Sequence, residues 1–305
     1  MVTILIPAFN EEDNLKTLYT QLDAIVSKRP KDKFQFLFID DCSTDTTPEI
    51  LHQLHERDQR VSVIRFARNC GSHAAIAAGL AHCQGECAIV MAADLQDPPE
   101  LILELLKQWE QGSEIVWAVR LGRPEKSFLT KACSWLYYFL MNHLTHIKMP
   151  LGGADVFLAD RKVINAFNNV PEKHSSVFMT IAWLGFKQSS IEYMKRIRHA
   201  GKSKWTLQRK IKLMLDSLLA FSDSPARYMS GLGILTALWG LTLVCGIFFN
   251  YLKGSLLEGW FIVLSVVLII GGIQMIMFGI LGEYLWRALD ESRRRPRYII
   301  EYRLP

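Results

Sequence analysis

Three side chains within four positions, Asp94, Gln96 and Asp97, place hard oxygen donors directly after a short apolar run, Cys87 to Ala92. Carboxylate and amide oxygens suit a divalent cation that bridges phosphate groups. The apolar run reads as a buried strand. Pro98 and Pro99 then open a helical pattern, because proline is tolerated in the first turn of a helix. In an open parallel sheet, ligands bind just outside the carboxyl ends of the strands, where these oxygens would stand. An ordinary strand-to-helix turn also favours Asp, so the rest of the chain has to decide between the two readings.

Two further strand patterns end in the same kind of chemistry, in Pro7-Ala8-Phe9-Asn10-Glu11-Glu12 and in Asp40-Asp41-Cys42-Ser43-Thr44-Asp45. A third closes on the polar, glycine-bearing turn Asn69-Cys70-Gly71-Ser72. Several acidic ends on one edge of a parallel sheet point to a nucleotide and metal site. The chain has no Walker loop and no G-x-G-x-x-G, which argues against a P-loop NTPase or a dinucleotide dehydrogenase. Its six cysteines show no disulfide or zinc spacing and read as reduced structural thiols.

The elements that must position these groups alternate over the first 120 residues. Strand patterns fall at Thr3 to Pro7, Phe34 to Asp40, Val61 to Phe66, Cys87 to Ala92 and Glu114 to Val119. Helical stretches lie between them, at Glu12 to Val26, Thr47 to Arg57, His73 to Cys83 and Pro99 to Gln111. Such alternation predicts an α/β fold, a mostly parallel sheet with helices on both faces. Arg120 to Lys131 is basic and loop-like, an aromatic-rich helix follows over Ser127 to His146, and residues 151 to 200 read as an added subdomain.

The apolar residues are not evenly spread. Residues 229 to 252 and 259 to 282 carry no charged side chain. As helices, runs of this length would reach roughly 36 Å, beyond the ~30 Å core of a bilayer. Two transmembrane helices are therefore expected. Basic residues precede the first (Lys202, Lys204, Arg209, Lys210, Lys212, Arg227) and follow the second (Arg287, Arg293, Arg294, Arg295, Arg297). The positive-inside rule puts both flanks in the cytoplasm. The chain opens on a strand pattern, Val2 to Ile6, with no signal-peptide pattern. Between 204 and 221, Leu207, Ile211, Met214, Leu215 and Leu218 oppose Arg209, Lys210, Lys212 and Asp216, as in a helix lying in the membrane interface. The basic flanks abut the apolar runs, so lipid headgroups account for them better than nucleic acid. The expected organisation is a nucleotide-sugar half over 1–120, an acceptor-side subdomain over 121–203, an interfacial helix region over 204–228, a membrane hairpin over 229–286 and a basic tail over 287–305.

"IPAFNEE", "IDDCSTD", "RNCGSHAAIAAGL" and "ADLQDPPE", in this order and spacing, resemble a family 2 glycosyltransferase of the GT-A fold. "GKSKW", the two apolar runs, "GILGEYLWR" and "RRRPRYII" narrow the resemblance to the polyprenyl-phosphate glycosyltransferases, such as the bactoprenol-phosphate glucosyltransferases and the undecaprenyl-phosphate aminoarabinose transferases. The resemblance implies a Rossmann-like GT-A domain that transfers a sugar, with inversion, from a nucleotide donor to polyprenyl phosphate. The setting would be the cytoplasmic face of the inner membrane, as a homo-oligomer in the lipid bilayer. It further implies that Pro7, Ala8, Asn10 and Glu11 contact the donor together with Asn69 and Gly71, and that Asp41 holds the base. Asp94 and Gln96 would bind Mg²⁺ or Mn²⁺, with Asp94 and Asp155 at the reaction centre. Arg120, Lys131, Arg198 and Lys204 would take the acceptor phosphate. A uridine diphosphate sugar, glucose or N-acetylglucosamine, is the expected donor.

The chain also departs from the resemblance. The usual Asp-x-Asp begins here with Ala92, Phe157 stands where many relatives have Arg, and Ser72 occupies a position that is often Lys or Gln. Two rivals follow: a processive polysaccharide synthase, whose Gln-x-x-Arg-Trp segment is missing, and a membrane-anchored nucleotide-sugar-binding protein without catalysis.

Overall fold

A computed structural model describes residues 1–121, 154–170, 176–196, scattered helical positions within 231–249, and 260–305 apart from 294. The chain divides into two compact units. The first comprises Met1–Ser217 and Pro296–Pro305, the second Leu218–Arg295.

The first unit is built on an eight-stranded sheet. Its strands are β1 (Val2–Ala8), β2 (Phe34–Asp40), β3 (Val61–Phe66), β4 (Cys87–Val90), β5 (Ile115–Arg120), β6 (Ala154–Asp160), β7 (Gln188–Tyr193) and β8 (Ile300–Leu304). Their spatial order is β7-β5-β6-β4-β1-β2-β3-β8. β4, β1, β2 and β3 run parallel to one another. The crossovers between them are α1 (Glu12–Val26), α2 (Thr47–Arg57) and α3 (Ser72–His82), and α4 (Leu101–Glu110) leads on towards β5. Two shorter helices, α5 (Arg161–Asn168) and α6 (Val177–Trp183), follow β6.

These residues form these elements because their apolar positions have the matching period. In α1, Leu15, Leu18, Leu22 and Ile25 recur every three or four residues and are buried against the sheet, with Glu12 and Asp13 favouring the positive end of the helix. The central strands are apolar on both faces, as a covered parallel sheet requires. Helix α3 is alanine-rich because it lies close on β1. A Cβ at Gly79 would sit 2.2 Å from Leu5 Cδ1.

Two expectations change. Residues 154–193 do not form a separate subdomain, because β6 enters the main sheet antiparallel between β4 and β5, and β7 extends it beyond β5. The "ADVFLAD" run is almost entirely buried, which only a central strand position satisfies. The expected basic tail likewise ends as β8, antiparallel to β3. Tyr298 stacks on Phe66 at 5.0 Å, Ala67 N donates to Ile299 O, and Glu301 accepts from Arg65 Nε at 2.8 Å. β8 thus covers what would otherwise be an open edge of β3.

In the second unit one helix, α7 (Trp260–Ser292), is long and apolar, and its stretch Ile269–Ser292 is long enough to cross a membrane, with none of that stretch buried. It runs ten residues past the expected end of the second span, to take in Glu283, Arg287, Asp290 and Glu291. The helical positions before it approach it closely, since a Cβ on Gly233 would lie 3.7 Å from Met277 Sδ. Much of the first expected span, and all of 204–228, lies outside the described residues, and among the described residues one helix is of membrane length.

Asp40 is fully buried and ion-paired to Arg65, which also donates to Ser43 O at 3.1 Å. Arg65→Met strips a buried carboxylate of its partner, and a loss of about 3–5 kcal/mol is expected in chemical denaturation. The Arg65→Met/Asp40→Asn pair should recover part of it. A second test concerns pH. His73 Nδ1 accepts from Val177 N at 3.3 Å, and burial, with the charge of Arg297, pushes its pKa from the ordinary 6.5 to about 4. The folded chain then binds fewer protons than the unfolded one between those values, so stability should fall as pH drops from 6.5 towards 4 and be unaffected by His73 above that range. Thermal midpoints of His73→Gln should show a flatter acid limb.

Candidate active site

Every one of the four parallel strands leaves the sheet through a residue in the left-handed region. Asn10 follows β1 (φ 52°), Cys42 follows β2 (φ 62°), Gly71 follows β3 (φ 90°) and Leu95 follows β4 (φ 58°). Among the described residues, the three non-glycine members are the only such residues outside glycine. Cys and Leu are held there against a preference of about 1–2 kcal/mol. Strain of this kind persists where the surroundings over-determine a loop, and it gathers at functional sites.

The surroundings are visible. Asn10 N donates to Ser43 Oγ at 2.9 Å, and Thr44 N donates back to Asn10 Oδ1 at 2.8 Å. Glu11 N donates to Thr47 Oγ1, while Glu11 Oε2 accepts from Asn14 Nδ2 at 2.6 Å. Ala8 O accepts from Asp41 N at 2.9 Å. The Asp41 carboxylate accepts from Cys70 N at 2.6 Å and Gly71 N at 2.8 Å, and Asn69 Nδ2 donates to Asp41 O at 3.2 Å. Burial raises the Asp41 pKa, and the two amides oppose the rise. The residues expected at the donor, Pro7, Ala8, Asn10, Glu11, Asp41, Asn69 and Gly71, are therefore brought onto one rim. Asp41 braces the third loop there.

The β4 exit carries Asp94 and Gln96, with Gln96 N donating to Asp94 Oδ1 at 3.3 Å. Gln96 O accepts from Arg196 N at 2.8 Å, which fastens this loop to the segment leaving β7. Among the described residues no three His, Cys, Asp or Glu side chains converge on a metal position. One carboxylate and one amide oxygen do fit Mg²⁺ or Mn²⁺, because such ions are held by one or two carboxylates together with substrate phosphates and water.

Beside this loop stands a charged centre. β4 and β6 pair Val90 with Phe157, so Ala92 and Asp155 continue the two strands towards the same rim. A β-bulge between Ala118 and Val119 turns the end of β5, and Arg120 NH1 meets Asp155 Oδ2 at 3.0 Å. Lys195 Nζ donates to the same Asp155 oxygen at 2.7 Å and lies 3.5 Å from Asp97 Oδ1. Tyr193 Oη donates to Asp97 Oδ1 at 2.6 Å. Burial raises the Asp97 pKa against the pull of Lys195 and Tyr193, while the charges of Asp155 and Asp94 raise it further. Asp97 Oδ2, Arg120 Nε and Arg120 NH1 are buried without an aligned hydrogen bond. Two carboxylates and two cations thus balance in this centre, and Arg120 keeps buried N–H groups without an aligned acceptor.

The sequence reading missed Lys195, Tyr193 and the full part played by Asp97. Lys195 lies in the run Met194-Lys195-Arg196, where nothing in the pattern separates it from solvated charge. Lys131, Arg198 and Lys204 lie outside the described residues. Phe157 stands in an aromatic cluster, 5.4 Å from both Trp117 and Phe178, so it serves packing at this place. A cleft of about 960 Å³ opens at the other rim, beside Phe34, Ser62 and Leu304. Of the cations that line it, Arg29 and Arg60 are paired with carboxylates and Arg303 bonds His82.

Residues 3–167 match the description "Glycosyl transferase family 2". The chain is 36% identical over 300 residues to the "Uncharacterized glycosyltransferase YkcC" of Bacillus subtilis (strain 168), covering 98% of this chain and 93% of the relative. It is 31% identical over 300 residues to the "Uncharacterized glycosyltransferase sll0501" of Synechocystis sp. (strain ATCC 27184 / PCC 6803 / Kazusa), at 98% and 94% coverage. It is also 31% identical over 304 residues to the "Bactoprenol glucosyl transferase" of Shigella phage SfV, at 98% coverage of each.

The strained exits can be tested at Cys42. Cys42→Val places a β-branched side chain in the left-handed region and is expected to cost about 1–2 kcal/mol in chemical denaturation, whereas Cys42→Gly should stay within about 1 kcal/mol of the parent. Equal losses in both variants would mean the backbone there is not left-handed in solution.

Proposed function

This chain belongs to glycosyl transferase family 2, and on that premise we propose that it transfers a monosaccharide from a uridine diphosphate sugar to polyprenyl phosphate, with inversion. The observation that carries the reading is the Arg120–Asp155–Lys195 centre on the rim that also holds Asp94, in a chain with a long, unburied apolar helix. A relative named for bactoprenol supports the lipid side of the proposal.

In this reading Asn10, Glu11, Asp41, Asn69 and Gly71 receive the nucleotide, and Asp94 and Gln96 would hold Mg²⁺ or Mn²⁺, which when bound would supply Lewis-acid stabilisation of the leaving diphosphate. Arg120, with Lys131, Arg198 and Lys204, binds the acceptor phosphate and orients it, and positioning alone lowers barriers by several kcal/mol. An acceptor phosphate is largely ionised near pH 7, its second pKa lying near ~6, so it attacks without a strong base. Asp155, whose Oδ2 is already shared between a guanidinium and an ammonium, orients those cations and faces the positive charge that develops at the anomeric carbon. The setting is the cytoplasmic face of the inner membrane, with two spans, the catalytic domain inside, and a homo-oligomeric assembly. Glucose or N-acetylglucosamine is the proposed sugar.

Membranes containing the protein, incubated with labelled nucleotide sugars and undecaprenyl phosphate, are expected to yield one labelled lipid. Asp94→Asn should reduce its formation by at least ~100-fold, the scale on which losing an electrostatic stabiliser is felt. Full activity in excess chelator would remove the metal from the scheme. Nucleotide binding without any transfer would favour the non-catalytic rival. Tags at both termini should be inaccessible from outside intact cells.

A further inference from the structure

Lys195 contributes a cation to this centre that no expected role uses. We infer that Lys195 is its positioning residue: it holds the Asp155 carboxylate at the rim beside Arg120, against the repulsion of the buried Asp97 carboxylate. This rests on the reading of Asp155 as the reaction-centre acid.

The Lys195 ammonium lies 2.7 Å from Asp155 Oδ2 and 3.5 Å from Asp97 Oδ1, with 12% of its side chain exposed. The two carboxylates are thus within about 6 Å of each other, a distance at which like charges in a protein repel appreciably. The sequence of charges Asp97, Lys195, Asp155, Arg120 alternates in sign, and an acceptor phosphate at Arg120 would continue the alternation.

Lys195 is also held in place itself. Tyr193, two residues earlier and so on the same side of the chain, grips the same Asp97 oxygen at 2.6 Å. The next residue, Arg196, donates its N–H to Gln96 O at 2.8 Å, and its guanidinium meets Glu100 at 3.1 Å. The ammonium is therefore a fixed post between two carboxylates, not a side chain free to follow one of them. Without it, Asp155 would turn away from Asp97, and the cations it aligns would lose their common reference.

The full-length protein in lipid nanodiscs, carrying Lys195→Met, Lys195→Arg or Lys195→Met/Asp97→Asn, provides the test. The readouts are kcat and KM for prenyl phosphate, Kd for UDP, and the thermal midpoint. Lys195→Met is expected to lower kcat by at least about 30-fold with UDP affinity unchanged, the scale of a lost orientation. Lys195→Arg should recover most of kcat. The double variant should regain the thermal midpoint while kcat stays low. Recovery of kcat in the double variant would overturn the inference, because Lys195 would then only neutralise Asp97. Parental kcat in Lys195→Met would overturn it as well. If the parent itself transfers nothing to prenyl phosphate, the proposed acceptor falls. The same ordering of variants is then read from the release of UDP as the donor is hydrolysed by water, and a different ordering there overturns the inference.

Discussion

A carboxylate sealed from water needs a partner, and much of the donor side of this domain follows from how Asp40 finds one. It sits at the end of β2 with no exposed surface, accepts from Ser43 N at 2.9 Å, and pairs with Arg65. Arg65 in turn holds Ser43 O and Glu301. One guanidinium thus sets the turn after β2, fixes β3 beside it, and receives the strand that arrives from the far end of the chain. Asp41, the next residue, is left to catch the amides of Cys70 and Gly71. The loops of the rim are stiff because each is bonded to its neighbour and the group at their root cannot be given up cheaply.

The two halves of the site use different physics. The donor half is made of backbone conformation, with left-handed turns held by side-chain hydrogen bonds from adjacent loops. The other half is made of charge, with two carboxylates and two cations in close alternation and, among the described residues, three buried polar atoms without an aligned hydrogen bond. A surface of the first kind keeps its shape whatever binds to it. The second kind changes its balance when an ion enters, and it is the half that a reaction would perturb.

What could be read in the sequence was what local patterns encode. The bounds of Phe34–Asp40, Val61–Phe66, Glu12–Val26 and Thr47–Arg57 agree with the structure to the residue, because strand and helix periods there are uninterrupted. The polar strand ends identified the rim for the same reason. β6 and β7 were not seen as members of the sheet, since antiparallel insertion between β4 and β5 is decided by contacts across tens of residues. β8 was hidden by the arginines before it. Lys195 was illegible because its meaning comes from Asp97, 98 positions away, and from Asp155, 40 positions away. Ala92 remains a departure whose consequence the geometry narrows. It follows β4 two residues past the last ladder pair, Val90 with Phe157, on the rim where β6 begins near Asp155, so an Asp there would bring another negative charge towards that centre.

The strand that closes the sheet at β3 also sets a schedule for making the protein. Arg65 and Glu301 are separated by 236 residues. At about 5–20 residues per second, a ribosome needs on the order of 10–50 s to deliver the second after the first. For that interval the nascent domain has a bare edge on β3, and the apolar helix is synthesised before the edge can be sealed. A chain that broke off before Ile300 would therefore be released with its chemistry encoded and its sheet still open at β3, a substrate for chaperones and proteases in place of an enzyme.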